Sequence, residues 1–94
     1  MRDFAKVSPQ FWISEHGKQI KELGVAAQLI AFYLSTNPHA SMIGIYYLPL
    51  TFIAHETGID INEVKITLDK LSEIDFCTYD NRTEYIWVIL WYQN

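Results

Sequence analysis

The sequence predicts an α+β fold in which a helix-turn-helix is followed by a two-stranded antiparallel hairpin. Three observations support this prediction. A short apolar segment lies between Pro49 and Gly58, residues 61–74 have helical periodicity, and strand-like runs at 76–79 and 84–89 flank turn residues. This order of elements is that of a winged helix, with a helical N-terminal half and a small antiparallel sheet, the wing.

Two helices are predicted in the N-terminal half. The first begins at Ser14-Glu15 and runs through residue 23, with Ile20 and Leu23 facing inward. Gly24 interrupts the pattern, and the second helix covers Val25–Leu34. Asn37-Pro38 ends it, because the residue before a proline avoids the helical region.

The helix over Val25–Leu34 is apolar on nearly all sides, and Gln28 is its one plainly polar residue. A helix of this kind is usually buried on nearly all sides. We therefore expect a central core helix. The alternative is that one flank of this helix contacts a second copy of the chain.

The helix-turn-helix has recognisable ends. Its first helix covers 50–57, with Pro49 ahead of it and Gly58 as a left-handed end residue. Asp60 or Asn62 can cap the next helix. That helix runs to about residue 74, and its apolar residues share one face: Ile61, Val64, Leu68 and Leu71.

The hairpin is predicted from strand residues on both sides of a polar turn. Residues 76–79 form the first strand, 80–83 have turn chemistry, and 84–89 form the second strand. A short strand over 45–48 is expected to join the same sheet as a third member.

Length and composition indicate one globular domain covering residues 1–94. The chain has 94 residues, and half of them are apolar. No signal peptide is recognisable and no apolar run is long enough to span a bilayer, so we expect a cytoplasmic protein without a membrane partner. The single Cys77 excludes an internal disulfide and is interpreted as a packed side chain.

The charges are unevenly distributed along the chain. The net charge is −4. Residues 1–40 carry four cationic side chains and three carboxylates, whereas residues 41–94 carry three cationic side chains and eight carboxylates. Phosphate contacts supply most nonspecific affinity for DNA. Residues 41–94, which contain the predicted helix-turn-helix and hairpin, therefore have a net charge of −5, which is unfavourable for contacts with DNA phosphates.

The sequence gives little support for an enzyme. His55-Glu56 resembles the start of a zinc-protease helix, but Ile59 stands where the second histidine is required. The histidines and Cys77 lack metal-ligand spacing, and the glycines are isolated, so neither a metal nor a cofactor is predicted. The carboxylates of the helix over 61–74 are interpreted as a solvated face.

The aromatic residues have two interpretations. Most are expected to fill the core: Phe11, Trp12, Phe32, Tyr33, Phe52, Phe76 and Trp87. The alternative is a stacking platform for single-stranded nucleic acid built from Tyr46, Tyr47, Tyr79 and Tyr85. This alternative is weaker, because only Arg82 supplies a positive charge nearby.

Several motifs resemble a known group of proteins. They are Phe11-Trp12, Gly44-Ile45-Tyr46, Leu48-Pro49, the segment 53–58, Tyr79-Asp80, Ile86-Trp87-Val88 and Tyr92-Gln93. The series resembles the N-terminal winged-helix domain of bacteriophage and prophage replication proteins, the replisome organisers and initiator-like proteins. The resemblance covers nearly the whole chain. It implies either a shortened protein or the N-terminal domain of a longer chain.

The resemblance implies origin DNA or a replisome protein of the phage or its host as the partner. Its DNA-binding positions fall on the helix over 61–74, on the wing turn and on the start of the preceding helix. In this sequence they are Thr51, Asn62, Lys65, Lys70, Asn81, Arg82 and Thr83. Asn62 and Lys65 would contact base edges, and Lys70 and Arg82 would hold phosphates.

Two functions are therefore expected from different classes. The first is a DNA-binding domain of a phage-type replication initiation protein, which binds duplex origin DNA through the helix over 61–74 and the wing. The second is a protein-interaction or oligomerisation module with a winged-helix core that does not bind DNA by itself. This module would form a homodimer through Val25–Leu34 or through the edge of the apolar run Ile86–Tyr92. Four basic residues of the N-terminal half decide between the two functions: Arg2, Lys6, Lys18 and Lys21. A basic stripe would favour DNA binding if they folded next to Lys65 and Arg82, and DNA binding by this domain alone is not expected if they lie on the opposite side.

Overall fold

The computed structural model describes residues 14–40 and 44–88, and this part of the chain forms four helices and a three-stranded antiparallel sheet. The elements are α1 Glu15–Leu23, α2 Val25–Thr36, β1 Ile45–Tyr47, α3 Leu50–Thr57, α4 Ile61–Glu73, β2 Cys77–Asp80 and β3 Tyr85–Val88. The predicted α+β class is confirmed, and the arrangement is compatible with a winged helix. The predictions for Phe11, Trp12 and Ile89–Tyr92 lie outside the described residues.

The helix starts follow from capping side chains. The Ser14 hydroxyl accepts a hydrogen bond from the Gly17 N–H at 3.0 Å, and this bond caps α1. The Asp60 carboxylate accepts one from the Asn62 N–H at 2.9 Å at the start of α4. Gly58 ends α3 with φ +79°, in the left-handed region where a side chain would be strained.

Helix α4 ends in a Schellman motif. The Phe76 N–H donates to the Leu71 carbonyl at 3.0 Å, and the Asp75 N–H donates to the Ser72 carbonyl at 3.0 Å. Asp75 takes the left-handed position with φ +62°. The motif turns the chain sharply, so Phe76 enters the core and β2 begins directly after α4.

The sheet has the order β1-β3-β2, so the predicted third strand pairs with β3. Both hairpin strands begin one residue later than predicted. Phe76 is held by the hydrogen bond from its N–H to Leu71 of α4 and does not join β2. Asp80 pairs with Tyr85 as the last pair before the turn. The turn therefore covers 81–84, and Glu84 closes it with φ +64°.

The core lies between the helices and one face of the sheet. Helix α2 packs against α1, α3 and α4, and α4 packs against β2. The most deeply buried large side chains are Phe76, Ile20, Ile30, Leu34, Leu48, Ile53, Leu71 and Ile86. Of the predicted inward residues of α4, Val64, Leu68 and Leu71 are buried, and Ile61 is partly exposed.

Helix α2 is less buried than its composition predicts. Ala27, Ile30, Ala31 and Leu34 are buried, but the opposite flank is exposed: Val25 by 80%, Leu29 by 45% and Phe32 by 42%. The prediction of a helix buried on nearly all sides is therefore wrong. Among the described elements, α1, α3 and α4 pack against α2, and they cover only one side of it.

Three aromatic residues predicted in the core lie at the surface. Trp87 is 61% exposed, Phe32 42% and Phe52 39%. Trp87 alternates with Ile86 and Val88 along β3, and those two side chains point to the covered face. Side chains alternate between the faces of a strand, so Trp87 must face outward.

Candidate nucleic-acid interface

All seven residues predicted to contact DNA are exposed. They lie on three segments. Thr51 is in the first turn of α3, and Asn62, Lys65 and Lys70 are on α4, whereas Asn81, Arg82 and Thr83 form the turn between β2 and β3. A cleft of about 150 Å³ joins these segments and is lined by Leu50, Lys65, Leu68, Asp69 and Asn81. We call this the wing cleft.

Hydrogen bonds to Leu48 hold the wing against the start of α3. The Leu48 N–H donates to the Glu84 carbonyl at 2.8 Å. The Tyr79 hydroxyl donates to the Leu48 carbonyl at 3.0 Å, and burial raises the pKa of Tyr79 to about 12. Leu48 lies two residues before Leu50 of the wing cleft. The β2–β3 hairpin therefore has a defined position relative to the start of α3.

Asp80 organises the wing turn. One carboxylate oxygen accepts from the Arg82 N–H at 3.0 Å, and the other accepts from the Thr83 hydroxyl at 2.9 Å. The bond from Arg82, followed by that from Thr83, lowers the pKa of Asp80. Thr83 thus uses its hydroxyl within the turn, whereas the Arg82 side chain is exposed at the tip. Sequence reasoning recognised Asp80 only as a turn residue.

Two carboxylates lie at the N-terminal end of α4. The Asp60 carboxylate caps the helix, and Glu63 lies in its first turn. Both negative charges offset the positive end of the helix dipole. A phosphate would have to displace or approach these groups, so the helix start is a poor anion site despite its exposed N–H groups.

The cationic residues of α4 and the wing have no ion-pair partner within 4 Å among residues 14–40 and 44–88. The ion pair present there joins His39 and Glu56 at 2.8 Å. Lys65, Lys70 and Arg82 are exposed. Asp69 shares the wing cleft with Lys65, and therefore partly offsets its charge.

Helix α1, which carries Lys18 and Lys21, begins near the C-terminal end of α4. His16 Nε2 lies 2.8 Å from the Ile74 carbonyl oxygen, and the His16 ring packs edge-on against Phe76. Ile74 is nine residues after Lys65, or about 13 Å along a helix. Helix α1 therefore starts beside the C-terminal end of α4, and of the described residues neither Lys18 nor Lys21 lines the wing cleft. Arg2 and Lys6 lie outside the described residues.

A second polar cluster joins α2, α3 and the loop between α2 and β1. The Tyr33 hydroxyl donates to one oxygen of Glu56 at 2.6 Å, and His39 Nε2 lies 2.8 Å from the other oxygen. These two contacts, Tyr33 first, lower the pKa of Glu56. Burial, and then the bond to Glu56, raise the pKa of Tyr33. The cluster resembles a histidine oriented by a carboxylate, but its contacts tie secondary-structure elements together.

The lowered pKa of Glu56 predicts a pH-dependent contribution to stability. The folded carboxyl has a lower pKa than the unfolded one, so its stabilisation is present above the unfolded pKa and is lost as pH falls through the folded value. Urea unfolding should show a smaller loss of stability between about pH 6 and pH 3 in Glu56→Gln than in the unchanged protein. Glu22→Gln, an exposed change on α1, should keep the original loss. Equal pH profiles for both variants would exclude this role of Glu56.

The four tyrosines of the alternative stacking platform do not form one surface. Tyr46 is buried and Tyr79 is partly buried, while Tyr47 and Tyr85 are exposed. Tyr46 instead belongs to a buried polar network, because its hydroxyl donates to the Leu34 carbonyl at 2.6 Å. The platform prediction is therefore wrong for two of its four residues.

The described part of the chain offers no other obvious chemical centre. Cys77 is buried as expected, and burial raises the pKa of its thiol to about 12. Within residues 14–40 and 44–88, no group of three histidine, cysteine or carboxylate side chains could hold a metal ion. Over the same residues, no helix has the length and apolar character to cross a membrane.

Comparisons with known proteins identify no relative. The chain matches no protein-family model, no curated protein and no solved structure.

Proposed function

We propose that this domain is a winged helix that binds duplex DNA through α4 and the wing turn, as part of a phage-type replication initiation protein. The observation that carries the proposal is the wing cleft, which brings Lys65 of α4 together with Asn81 of the turn. A helix and a hairpin turn that share one exposed surface can contact a groove and the adjacent backbone at the same time. The link to replication rests on the sequence resemblance alone.

In this proposal each residue has a distinct role. Asn62 and Lys65 are on the exposed side of α4 and contact base edges. Lys70 and Arg82 hold phosphates, with Asn81 and Thr51 as polar contacts at the margins. Thr83 acts indirectly, because its hydroxyl bonds to Asp80 and shapes the turn.

The charge of this surface sets the expected affinity. Lys65, Lys70 and Arg82 can neutralise about three phosphates, which corresponds to a salt dependence of roughly 40-fold between 50 and 200 mM salt. The neighbouring Asp69 and Glu63 weaken binding at every salt concentration. We therefore expect weak, salt-sensitive binding by this domain alone.

Charge reversal on α4 tests the DNA surface. The Lys65→Glu/Lys70→Glu variant should lose at least about tenfold in affinity for random duplex DNA, measured by fluorescence anisotropy at 50 mM salt. The matched control is Lys18→Glu/Lys21→Glu, which changes the net charge equally but lies on α1. Both variants should unfold near the temperature of the unchanged protein, because all four lysines are exposed.

Two results would contradict the proposal. Equal losses in the two double variants would mean that only total charge matters. Affinity that does not change between 50 and 200 mM salt would exclude phosphate contacts by these cations. A parallel titration with single-stranded DNA decides which form of nucleic acid is preferred.

A second candidate function is a protein-interaction or oligomerisation module. It is favoured by the exposed flank of α2, where Val25, Gln28, Leu29 and Phe32 line an apolar groove of about 340 Å³. Helix α2 contains no charged residue, so two copies could pair without like-charge repulsion. In this form of the proposal, the partner that contacts α2 is either a second copy of the chain, which makes a homodimer, or a replication protein. A monomeric mass by light scattering at high concentration would contradict the homodimer.

A further inference from the structure

The outer face of the sheet carries large apolar and aromatic side chains. Ile45 is 42% exposed, Tyr47 and Tyr85 are each 49% exposed, and Trp87 is 61% exposed. The strand register places Ile45 opposite Trp87 and Tyr47 opposite Tyr85. These four residues therefore form one surface across β1 and β3, which we call the aromatic face. It is a different surface from the wing cleft and does not depend on DNA binding.

The aromatic face is unusual for a side of an antiparallel sheet that none of the described helices covers. Such a side is normally polar, and the apolar side chains point to the core. Here the inner face is already covered, since Tyr46, Cys77, Ile86 and Val88 are buried. A sheet that is apolar on both faces is usually packed between two layers.

Carboxylates lie at both ends of the aromatic face. At one end, a groove of about 230 Å³ is lined by Asp75, Cys77, Thr78 and Trp87, so a carboxylate stands beside the exposed indole. At the other end, the Tyr47 hydroxyl donates to Glu84 at 3.3 Å, and the Tyr47 and Tyr85 rings meet edge-on at 5.9 Å. The three strands contain no lysine or arginine.

These features define the chemistry of a ligand. An apolar stripe would cover Ile45 and the rings, and a cation near Asp75 could lie over Trp87 and pair with the carboxylate at the same time. The three strands are about 10 Å across, which matches the diameter of one helix. One helix with basic residues beside its apolar stripe satisfies both the shape and the charge.

We propose that the aromatic face binds a basic amphipathic helix of a partner protein, with a lysine or arginine of that helix placed between Trp87 and Asp75. Binding of this kind lays an apolar helix face onto a hydrophobic surface and uses the flanking charges for orientation. Single-stranded nucleic acid is the less suitable occupant, because Asp75 and Glu84 would repel its phosphates.

The test uses two labelled peptides of roughly 18 residues, or about five helical turns. Both have the same leucine stripe, flanked by lysine and arginine in the first peptide and by glutamate in the second. Fluorescence anisotropy with the full chain should show at least about tenfold tighter binding of the basic peptide. Oligo(dT) serves as the nucleic-acid probe and should bind more weakly than the basic peptide.

Two variants separate the apolar and the ionic parts of the surface. Trp87→Thr keeps a strand-forming residue and should weaken the basic peptide about tenfold or more. Asp75→Asn keeps a residue that tolerates the left-handed region and should reduce the preference for the basic over the acidic peptide. Phe52→Ala, at an exposed phenylalanine on α3, should leave both affinities unchanged.

Several results would overturn the proposal. These are equal binding of the basic and acidic peptides, an unaffected Trp87→Thr variant, or tighter binding of oligo(dT). If the molecular mass of the unchanged protein rises with concentration and that of Trp87→Thr does not, the aromatic face binds a second copy of the chain. In a Trp12→Phe/Trp91→Phe background, an indole that acrylamide cannot quench would show that the chain itself covers the face.

Discussion

Replacing Phe76 with alanine should lower the free energy of unfolding by about 3–5 kcal/mol. Phe76 is 0% exposed and has the largest fully buried side chain in the described part of the chain. It follows the Schellman turn of α4, packs against His16 of α1 and precedes β2. Its removal therefore leaves a cavity where a helix end, a second helix and the sheet meet. Urea unfolding followed by circular dichroism measures the change.

The matched control for this prediction is Phe52→Ala. The same atoms are removed, but Phe52 lies on the surface of α3 and is 39% exposed. Its ring contacts that of His39, in the loop between α2 and β1. We expect the free energy of unfolding to fall by about 1 kcal/mol. The Phe52 ring is already partly in contact with water in the folded protein, so its removal loses little buried apolar area and leaves no closed cavity. Equal losses at the two positions would contradict the position of Phe76 in the core. A stability of 5–15 kcal/mol is typical of small domains, so Phe76→Ala could unfold much of the protein.

Replacing Asn37 with alanine should cost about 2–3 kcal/mol, the second-largest effect we expect. Asn37 is 5% exposed. Its amide nitrogen donates to the Tyr33 carbonyl at 2.9 Å and to the Tyr46 hydroxyl at 2.9 Å, and its oxygen accepts from the His39 N–H at 2.8 Å. Alanine would leave several of these partners unsatisfied in a place that water reaches poorly.

A double-mutant cycle with Tyr46→Phe tests whether the network acts as a unit. The two changes should be less costly together than their separate sum, by about 0.5–3 kcal/mol, because both remove the same hydrogen bond. Thr36→Ala is the adjacent control. Its hydroxyl donates to the Phe32 carbonyl at 2.8 Å at a more exposed position, so the change should cost about 0.5 kcal/mol or less. Additive effects of Asn37 and Tyr46 would contradict a shared network.

Local signals predicted most of the secondary structure. Ser14, Gly58 and Asp60 act through their own backbone neighbours, so their roles at helix ends could be inferred without knowledge of the fold. The helix over 50–57 has the predicted bounds. The hairpin differs by one residue, because Phe76 is held by the end of α4, and this contact is invisible to strand propensity alone.

The site was only partly predictable. Exposure of the seven proposed DNA contacts follows from their polarity, and they are exposed. The wing cleft required the hydrogen bonds from Tyr79 and Glu84 to Leu48, which connect residues 31 and 36 positions apart. The position of α1 beside the end of α4 likewise depends on the contact between His16 and Ile74, which has no local signature.

The sequence by itself determined the α+β class, the order of the elements, the helix caps and the unequal charge of the two halves, because each depends on neighbouring residues or on composition. Tertiary structure alone decided which apolar side chains are covered. Phe76 and Trp87 have similar hydrophobicity, yet one is fully buried and the other is 61% exposed. The reason is geometric: the described helices lie on one side of the three-stranded sheet, so every second residue of β3 is buried.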